Sequence, residues 1–305
     1  MKPSPFTYHR PTSIDEAVEM LAAHGETGKV LAGGQSLVPL MSMRLAAPTD
    51  LIDINHIAGL DSVTVTDTDV RVGAIARHSK VEHDAAAYDA IPLLRQSLLH
   101  VAHPTVRNRG TTVGSIVHAD PAAEMTAVLT LLDGVVELRS AHGSREVPAG
   151  EFFVGPMQSA IGTDELAVGA RFHRPARRSG SAFVELARRH GDYAMCGVGA
   201  VVTSTADSSI RSAKVALISV GDGPVRLDVT SAVSDAGNGF HEPALRQLVD
   251  EQIEPESDIH ASAEYRRHLA HVLSLRALGD AYERSLQTEP RTQGTQGGAE
   301  QGRVA

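Results

Sequence analysis

The sequence predicts an α+β protein built from three units. Over residues 1–55 a helical pattern lies between short apolar runs, which is typical of a compact β-α-β arrangement. Valines alternate with polar residues on both sides of 67–69, as in a β-hairpin. After residue 178, three strand-like runs and two helical patterns favour an antiparallel sheet with helices. We therefore predict units at 1–55, 56–177 and 178–286, followed by a disordered polar tail at 287–305.

Composition restricts the class of function. The chain has 305 residues, which exceeds one usual hydrophobic core, and its formal net charge of -9 disfavours a nucleic-acid partner. No apolar run approaches the roughly 20 residues that span a bilayer, and the beginning of the chain lacks a signal-peptide pattern, so we expect a cytoplasmic protein. The single cysteine, Cys196, excludes an internal disulfide and an iron-sulfur cluster held by this chain alone.

The first unit contains one clear helix between two strands. Ser13 is a good N-cap, Glu16 stands at the capping-box position, and Gly25 is expected to end the helix. Apolar runs at 30–32 and 51–54 predict the strands.

A glycine pair, Gly33 and Gly34, follows the first of these strands. Adjacent glycines permit positive φ and leave backbone N–H groups uncovered, which suits a phosphate. The segment lacks the lysine of a Walker loop and the G-x-G-x-x-G spacing of a dinucleotide fold. Its spacing alone favours an ordinary strand–turn–helix connection.

The second unit contains a helical pattern at 91–102 that ends before Pro104. The polar segment 107–115 is predicted to be a loop, and Asp120 is expected to cap a helix with Pro121 at its first position. Later strands of this unit are predicted at 135–138 and 166–168.

The third unit begins after 174–180, where the periodicity is broken. Its predicted strands are 182–186, 197–203 and 214–220, and its predicted helices are 244–249 and 263–286.

Four motifs occur in a fixed order: A-G-G-Q-S at 32–36, R-N-R-G-T at 107–111, H-A-D-P-A-A-E at 118–124 and A-R-R-H-G-D-Y-A at 187–194. Together they resemble the FAD-binding subunit of the molybdenum hydroxylases, the medium chain of the carbon monoxide dehydrogenase and xanthine dehydrogenase type. The resemblance extends to about residue 285. It implies a two-subdomain FAD-binding domain of the vanillyl-alcohol-oxidase (PCMH) type, followed by a smaller α/β domain with an antiparallel sheet.

The resemblance also implies which residues bind the cofactor. The backbone amides of the glycine loop would hold the FAD pyrophosphate, and a second loop with Thr111 would hold phosphate and ribityl groups. The complete set implied is Ala32, Gly33, Gly34, Gln35, Ser36, Leu37, Thr111, Gly114, Ser115, His118, Asp120, Glu124, Leu166 and Tyr193. No catalytic side chain and no metal ligand is implied.

Some of these positions have alternative interpretations. Asp120 and Glu124 are also what the start of an ordinary helix requires. Tyr193 either covers the isoalloxazine ring, as in the family, or is a core aromatic residue of a strand. Cys196 is expected to be a packing residue.

Val113 departs from the family pattern. The family usually has T-x-G-G, whereas this chain has valine at the first glycine position, between Thr112 and Gly114. Because β-branched valine strongly disfavours positive φ, we expect an extended conformation at this position.

The resemblance implies an electron-transfer subunit with FAD as its cofactor. A large partner would hold the molybdenum cofactor, a small partner would hold two-iron two-sulfur clusters, and the complex would be a dimer of heterotrimers. Two alternatives remain open from the residues: a self-contained FAD oxidoreductase, and an FAD-free structural subunit suggested by Val113. Hydrolase and zinc-protease motifs are absent from the sequence.

Overall fold

The computed structural model describes residues 2–287. In chain order its helices and strands are β1 (Thr7–His9), α1 (Ile14–His24), β2 (Gly28–Leu31), α2 (Leu37–Ser42), β3 (Asp50–Asp53), β4 (Val63–Val65), β5 (Asp69–Gly73), α3 (His78–His83), α4 (Ala85–Ala90), α5 (Pro92–Leu98), α6 (Pro104–Arg107), α7 (Thr112–His118), α8 (Glu124–Leu131), β6 (Val135–Ser140), β7 (Gly143–Pro148), α9 (Ala149–Phe152), β8 (Phe153–Gly155), β9 (Gln158–Ser159), β10 (Leu166–His173), β11 (Ser179–Ala187), β12 (Ala194–Ser204), β13 (Ile210–Ile218), β14 (Val225–Asp228), α10 (Glu242–Asp250) and α11 (Ala263–Gln287).

The first sheet is parallel and has the strand order β1-β3-β2. Helix α1 begins as predicted, because the Ser13 side chain accepts a hydrogen bond from the Glu16 N–H at 3.1 Å, and it ends at Gly25, whose φ is +52°. Ala17 and Leu21 of α1 pack in one buried cluster with Ile52 of β3. Strand β1 is an addition to the predicted elements, since its three residues are too few to show a periodicity.

The second sheet is antiparallel, with the order β4-β5-β10-β6-β7. The predicted hairpin is β4–β5, and the two later predicted strands are neighbours in this sheet as β6 and β10. Helices α5 and α8 bury Leu94, Leu98, Met125 and Leu129 in one core with Phe172 of β10. This layer of helices therefore connects the sheet to the segment that carries the second and third motifs.

Two predictions in that segment are wrong. Residues 107–115 are not all loop, since α7 begins at Thr112. Asp120 does not cap a helix: α8 begins four residues later, and the Asp120 carboxylate instead accepts a hydrogen bond from the Ala122 N–H at 2.9 Å. This short turn satisfies the aspartate locally, so that the chain enters the helix only at Glu124.

The extended conformation predicted for Val113 is also wrong. Thr111 is the N-cap of α7, and its hydroxyl oxygen accepts from the Gly114 N–H at 3.2 Å. Val113 is therefore in the first helical turn, where φ is negative, and valine tolerates that conformation. Its side chain is 2% exposed in the core, which explains how a β-branched residue is accommodated here.

The third sheet is antiparallel, with the order β11-β12-β13-β14. Helix α11 packs along β11 and β12, and α8 packs against β12 and β13 on the side of the second unit. Cys196 of β12 is fully buried, and burial raises the pKa of its thiol to about 12, as expected for a packing residue. The predicted α+β class, with an antiparallel sheet in the C-terminal domain, is confirmed.

The predicted unit boundaries after residues 55 and 177 stay predictions. Of the predicted disordered tail, Gln287 is the last residue of α11, and 288–305 lie outside the described residues. Within 2–287, no helix combines the length and the apolar character that crossing a bilayer requires.

Candidate cofactor site

The glycine loop presents a row of unpaired backbone donors. It connects β2 to α2, and Gly34 has a φ of +71°, which favours glycine. Within residues 2–287, none of the N–H groups of Gly33, Gly34, Gln35 and Ser36 donates a hydrogen bond to another residue. Consecutive free N–H groups in a turn of this kind form a site for an anionic oxygen.

The second motif lies directly against this loop, although about eighty residues separate the two in sequence. A Cβ built on Gly33 would lie 2.6 Å from the Arg109 carbonyl oxygen and 2.9 Å from the Thr111 nitrogen, so only glycine fits here. A Cβ built on Gly114 would lie 4.0 Å from the Cβ of Ala32. The structure thus brings together the glycine loop, Thr111 and Gly114.

A cavity of about 580 Å³ opens beside the two loops. Arg77 spans it: one guanidinium nitrogen donates to the Arg109 carbonyl at 2.6 Å and the other to Asn55 Oδ1 at 2.7 Å. The Asn55 amide in turn donates to the Ala32 carbonyl at 2.8 Å. The residues that line the cavity are Leu31, Ala32, Gly33, Gly34, Gln35, Val38, Pro39, Asp53, Asn55, His56, Arg77, Asn108 and Arg109.

Asn55 and Arg77 were not found from the sequence. Neither belongs to a recognisable motif. Asn55 follows β3 and Arg77 precedes α3, and the hydrogen bonds just described bring the two side chains to the loops. Burial, followed by the charge of Arg109, lowers the pKa of Arg77 below its usual value, but guanidinium groups stay protonated at neutral pH. The cavity therefore combines free amides with positive charge, which matches a pyrophosphate.

Several predicted contacts lie at the edge of this arrangement. Ser36 caps α2 without a side-chain hydrogen bond, and Leu37 is the first residue of that helix. Ser115 is half-buried in α7, and His118 ends the same helix, where burial lowers the pKa of its imidazole. Leu166 is 2% exposed in the core beneath α1 and does not line the cavity, so its contact with FAD stays a prediction.

Four ionisable groups come together where the second unit meets the C-terminal sheet. Burial raises the pKa of Glu124 to about 7, with a further contribution from the charge of Asp120. Burial also raises the pKa of Glu185, on β11, to about 8, and the charge of Glu124 adds to this. Within the described chain, Glu185 Oε2 is buried without a hydrogen-bond partner. Glu185 was missed because a lone acid in a strand gives no sequence signal.

Tyr193 is the fourth member of this group. Desolvation, followed by the charges of Asp120 and Glu124, raises the pKa of its phenol. The residue is 65% exposed and precedes β12, so the core-aromatic alternative is wrong. Its turn contains Gly191, with φ +82°, where a Cβ would lie 2.6 Å from Cε1 of His103. The turn therefore rests on the imidazole ring of His103.

These features fit FAD. The pyrophosphate needs several aimed donors, which the glycine loop offers, and the rest of an extended dinucleotide needs a polar path along the protein. Thr111 caps α7, Glu124 begins α8, and polar groups therefore also occur in the segment that follows the glycine loop contact.

Two family models match the chain. Residues 4–172 match the FAD binding domain in molybdopterin dehydrogenase. Residues 181–281 match the CO dehydrogenase flavoprotein C-terminal domain. The two matches together include all four motifs.

Individual proteins agree with the family models. The chain is 38% identical to the caffeine dehydrogenase subunit beta of a Pseudomonas species, over 93% of this chain and 97% of the relative. It is 34% identical to the 6-hydroxypseudooxynicotine dehydrogenase complex subunit alpha of Paenarthrobacter nicotinovorans, over 95% of this chain and 98% of the relative. In structure it is similar to a chain of reconstituted CO dehydrogenase from Oligotropha carboxidovorans, with a TM-score of 0.86 and 34% identity over 93% of this chain and all of that one. The chain belongs to the family of FAD-binding medium subunits of the molybdenum hydroxylases.

Proposed function

We propose that this chain is the FAD subunit of a molybdenum hydroxylase complex and passes electrons from iron-sulfur clusters of a small partner to an external acceptor. The observation that carries the proposal is the contact between the glycine loop, with its four free amides, and the segment that contains Thr111. The single buried cysteine supports it as well, because two-iron clusters need thiolate ligands that only another chain can supply.

In this proposal the chain binds and orients FAD, and the flavin supplies the redox chemistry. The amides of Gly33, Gly34, Gln35 and Ser36 hold the pyrophosphate, and Arg77 fixes the two loops relative to each other. Charged acceptors strengthen such hydrogen bonds to about 1.5–3 kcal/mol each.

The remaining proposed contacts follow the path away from the pyrophosphate. Thr111, Gly114 and Ser115 lie at the start of α7, and His118, Asp120 and Glu124 surround the passage from α7 to α8. Tyr193 covers a face of the isoalloxazine ring and controls access to it, since an exposed phenol can stack while its hydroxyl stays wet.

The complex is proposed to contain a large subunit with the molybdenum cofactor and a small subunit with two-iron two-sulfur clusters, assembled as a dimer of heterotrimers. Cytoplasmic location belongs to the same proposal. The names of the relatives concern different oxidised compounds, among them caffeine and carbon monoxide. The choice of substrate is therefore assigned to the large partner and not to this chain.

The test is to purify the full chain alone and together with its two partners. Alone, it should show flavin absorption, contain no iron or labile sulfide, and not bleach when candidate substrates are added. In the complete complex, substrate should reduce the flavin. Bleaching of the isolated chain by a substrate would instead establish a self-contained oxidoreductase, and a colourless, folded chain that takes up no added FAD would overturn the proposal.

A further inference from the structure

A second polar cluster lies on the first sheet, away from the proposed cofactor path. Its members are His9 at the end of β1, His24 at the end of α1 and Asp50 at the start of β3. His9 Nε2 is 2.8 Å from Asp50 Oδ1, and His24 Nδ1 is 3.3 Å from Asp50 Oδ2. One ligand atom from each residue lies within 4.8 Å of the other two. The sequence shows no metal pattern here, because the three residues lie on separate elements.

We propose that His9, His24 and Asp50 form a binding site for a divalent transition-metal ion, with Zn²⁺ as the preferred ion. Two imidazole nitrogens and one carboxylate oxygen are a common protein ligand set for zinc. Ligands about 2.1 Å from a tetrahedral zinc are about 3.4 Å apart, so the present arrangement needs shifts of only about 1 Å. The three side chains are partly exposed, which leaves room for water at the fourth position.

The surrounding backbone holds the ligands in place. Gly28 of β2 is paired with Asp50 of β3, and a Cβ on Gly28 would come 3.2 Å from the His24 Cβ. Glycine at this position therefore lets the end of α1 approach the sheet. The Thr7 N–H donates to the Thr49 carbonyl at 2.7 Å, which joins β1 to β3 beside the site.

Asp50 is also oriented by a neighbouring side chain. The Thr49 hydroxyl donates to Asp50 Oδ2 at 2.7 Å, as outer-shell donors do to metal-ligating carboxylates. The two imidazole rings are tilted by 43° with their centroids 4.8 Å apart, so that a nitrogen of each faces the same carboxylate.

The cluster is separate from the glycine loop. Asp50 and Gly28 begin their strands, whereas Gly33 follows the end of β2, a four-residue strand that spans about 13 Å. A metal at this site would join β1, α1 and β3, and the flavin environment should not change. The proposal therefore stands or falls independently of the proposed function.

The experiment is calorimetric titration of the full chain with Zn²⁺ near neutral pH. The only cysteine is buried, so thiolate binding does not interfere, but the chain has 15 histidines, so weak surface binding is expected in every variant. His142→Gln is the matched control, because that residue is exposed in the β6–β7 turn. The test variants are His24→Gln and Asp50→Asn.

We expect one saturable equivalent of Zn²⁺ in the parent chain and in His142→Gln, with affinity at least about 10-fold weaker in both test variants. Zn²⁺ at about 100-fold excess over Kd should also raise the melting temperature by several degrees, and His24→Gln should lose that rise. Equal affinity in His24→Gln and His142→Gln, or no saturable site in the parent chain, would overturn the proposal. If Asp50→Asn does not fold, the His24→Gln result decides, since His24 is the terminal residue of its helix.

Discussion

Gly33 and Gly110 lie so close that a Cβ on Gly33 would fall 2.8 Å from the Gly110 Cα. Gly33 precedes β3 in the sequence and Gly110 follows it, so the contact joins two segments that are far apart along the chain. A shift of the glycine loop away from this contact would change the direction of its free amides. The geometry of the proposed pyrophosphate site therefore depends on this contact.

Gly33→Ala should weaken FAD binding by about 100-fold, because the added methyl group overlaps the Arg109 carbonyl and displaces one of the loops. The measurement is titration of FAD into flavin-free protein. Gly279→Ala is the matched control, since a Cβ on Gly279 in α11 meets no atom within 4 Å and should leave FAD affinity unchanged. Purification of Gly33→Ala with a full complement of FAD would contradict the loop assignment.

Arg77→Met should lower FAD affinity by about 10-fold, because the variant removes the hydrogen bonds to Arg109 and Asn55 and one positive charge from the cavity. Raising the salt concentration should weaken FAD binding less in the variant than in the parent. Arg139→Met serves as the control, because Arg139 makes an exposed ion pair with Asp15. If Arg77→Met and Arg139→Met changed FAD affinity equally, Arg77 would have no specific role in binding the cofactor.

Val113→Gly should destabilise the protein by about 2–3 kcal/mol, combining the loss of a buried side chain with the cost of glycine in a helix. The measurement is urea unfolding of the two proteins. Val113→Ala should show only the destabilisation caused by the lost side chain. The difference in unfolding free energy between the two variants then gives the cost of glycine in the helix. FAD affinity should change little, because the cap at Thr111 is intact. Tighter FAD binding by Val113→Gly would indicate a strained valine and contradict its helical placement.

Glu185→Gln should make the protein less sensitive to alkaline pH. Folding raises the pKa of Glu185 from 4.5 to about 8, so its stabilising contribution is complete below 4.5 and is lost as the pH rises towards 8. Glutamine cannot ionise. The free energy of unfolding of the variant should therefore exceed that of the parent by at least about 1 kcal/mol near pH 8.5, and this difference should decrease as the pH is lowered. Unfolding at a series of pH values measures this, with exposed Glu151→Gln as the control. If the difference in unfolding free energy between variant and parent did not vary with pH, Glu185 would not be neutral in the folded protein.

Tyr193→Ala should leave the free energy of unfolding within about 0.5 kcal/mol, because the ring is 65% exposed. If the ring covers the flavin, the same variant should change the flavin absorption bands and speed quenching of flavin fluorescence by a small anion. Tyr193→Phe should keep the parent spectrum, because stacking needs only the ring. Unchanged spectra and quenching in Tyr193→Ala would place the tyrosine away from the isoalloxazine.

The sequence was informative where local chemistry decides the structure. Ser13 and Gly25 delimit α1, and the alternating valines form the β4–β5 hairpin, because caps and period-two patterns act over a few residues. It was misleading at Val113, where β-branched neighbours resemble a strand but the Thr111 cap and the buried core select a helix.

Other site residues had no local signal. Asn55 and Arg77 reach the glycine loop through contacts that only the tertiary fold creates, and the charge of Glu124 acts on Glu185 for the same reason. The same holds for His9, His24 and Asp50, whose spacing in sequence matches no ligand motif.

The packing of Gly191 on His103 also constrains how this chain can be recombined with its relatives. The turn that carries Tyr193 belongs to the C-terminal segment, but its support comes from the segment before α6. A chimera joined between β10 and β11 would combine one parent's turn with the other parent's support. Such a hybrid should keep the second and third sheets and yet orient Tyr193 differently, unless residue 103 and residue 191 are taken from the same parent.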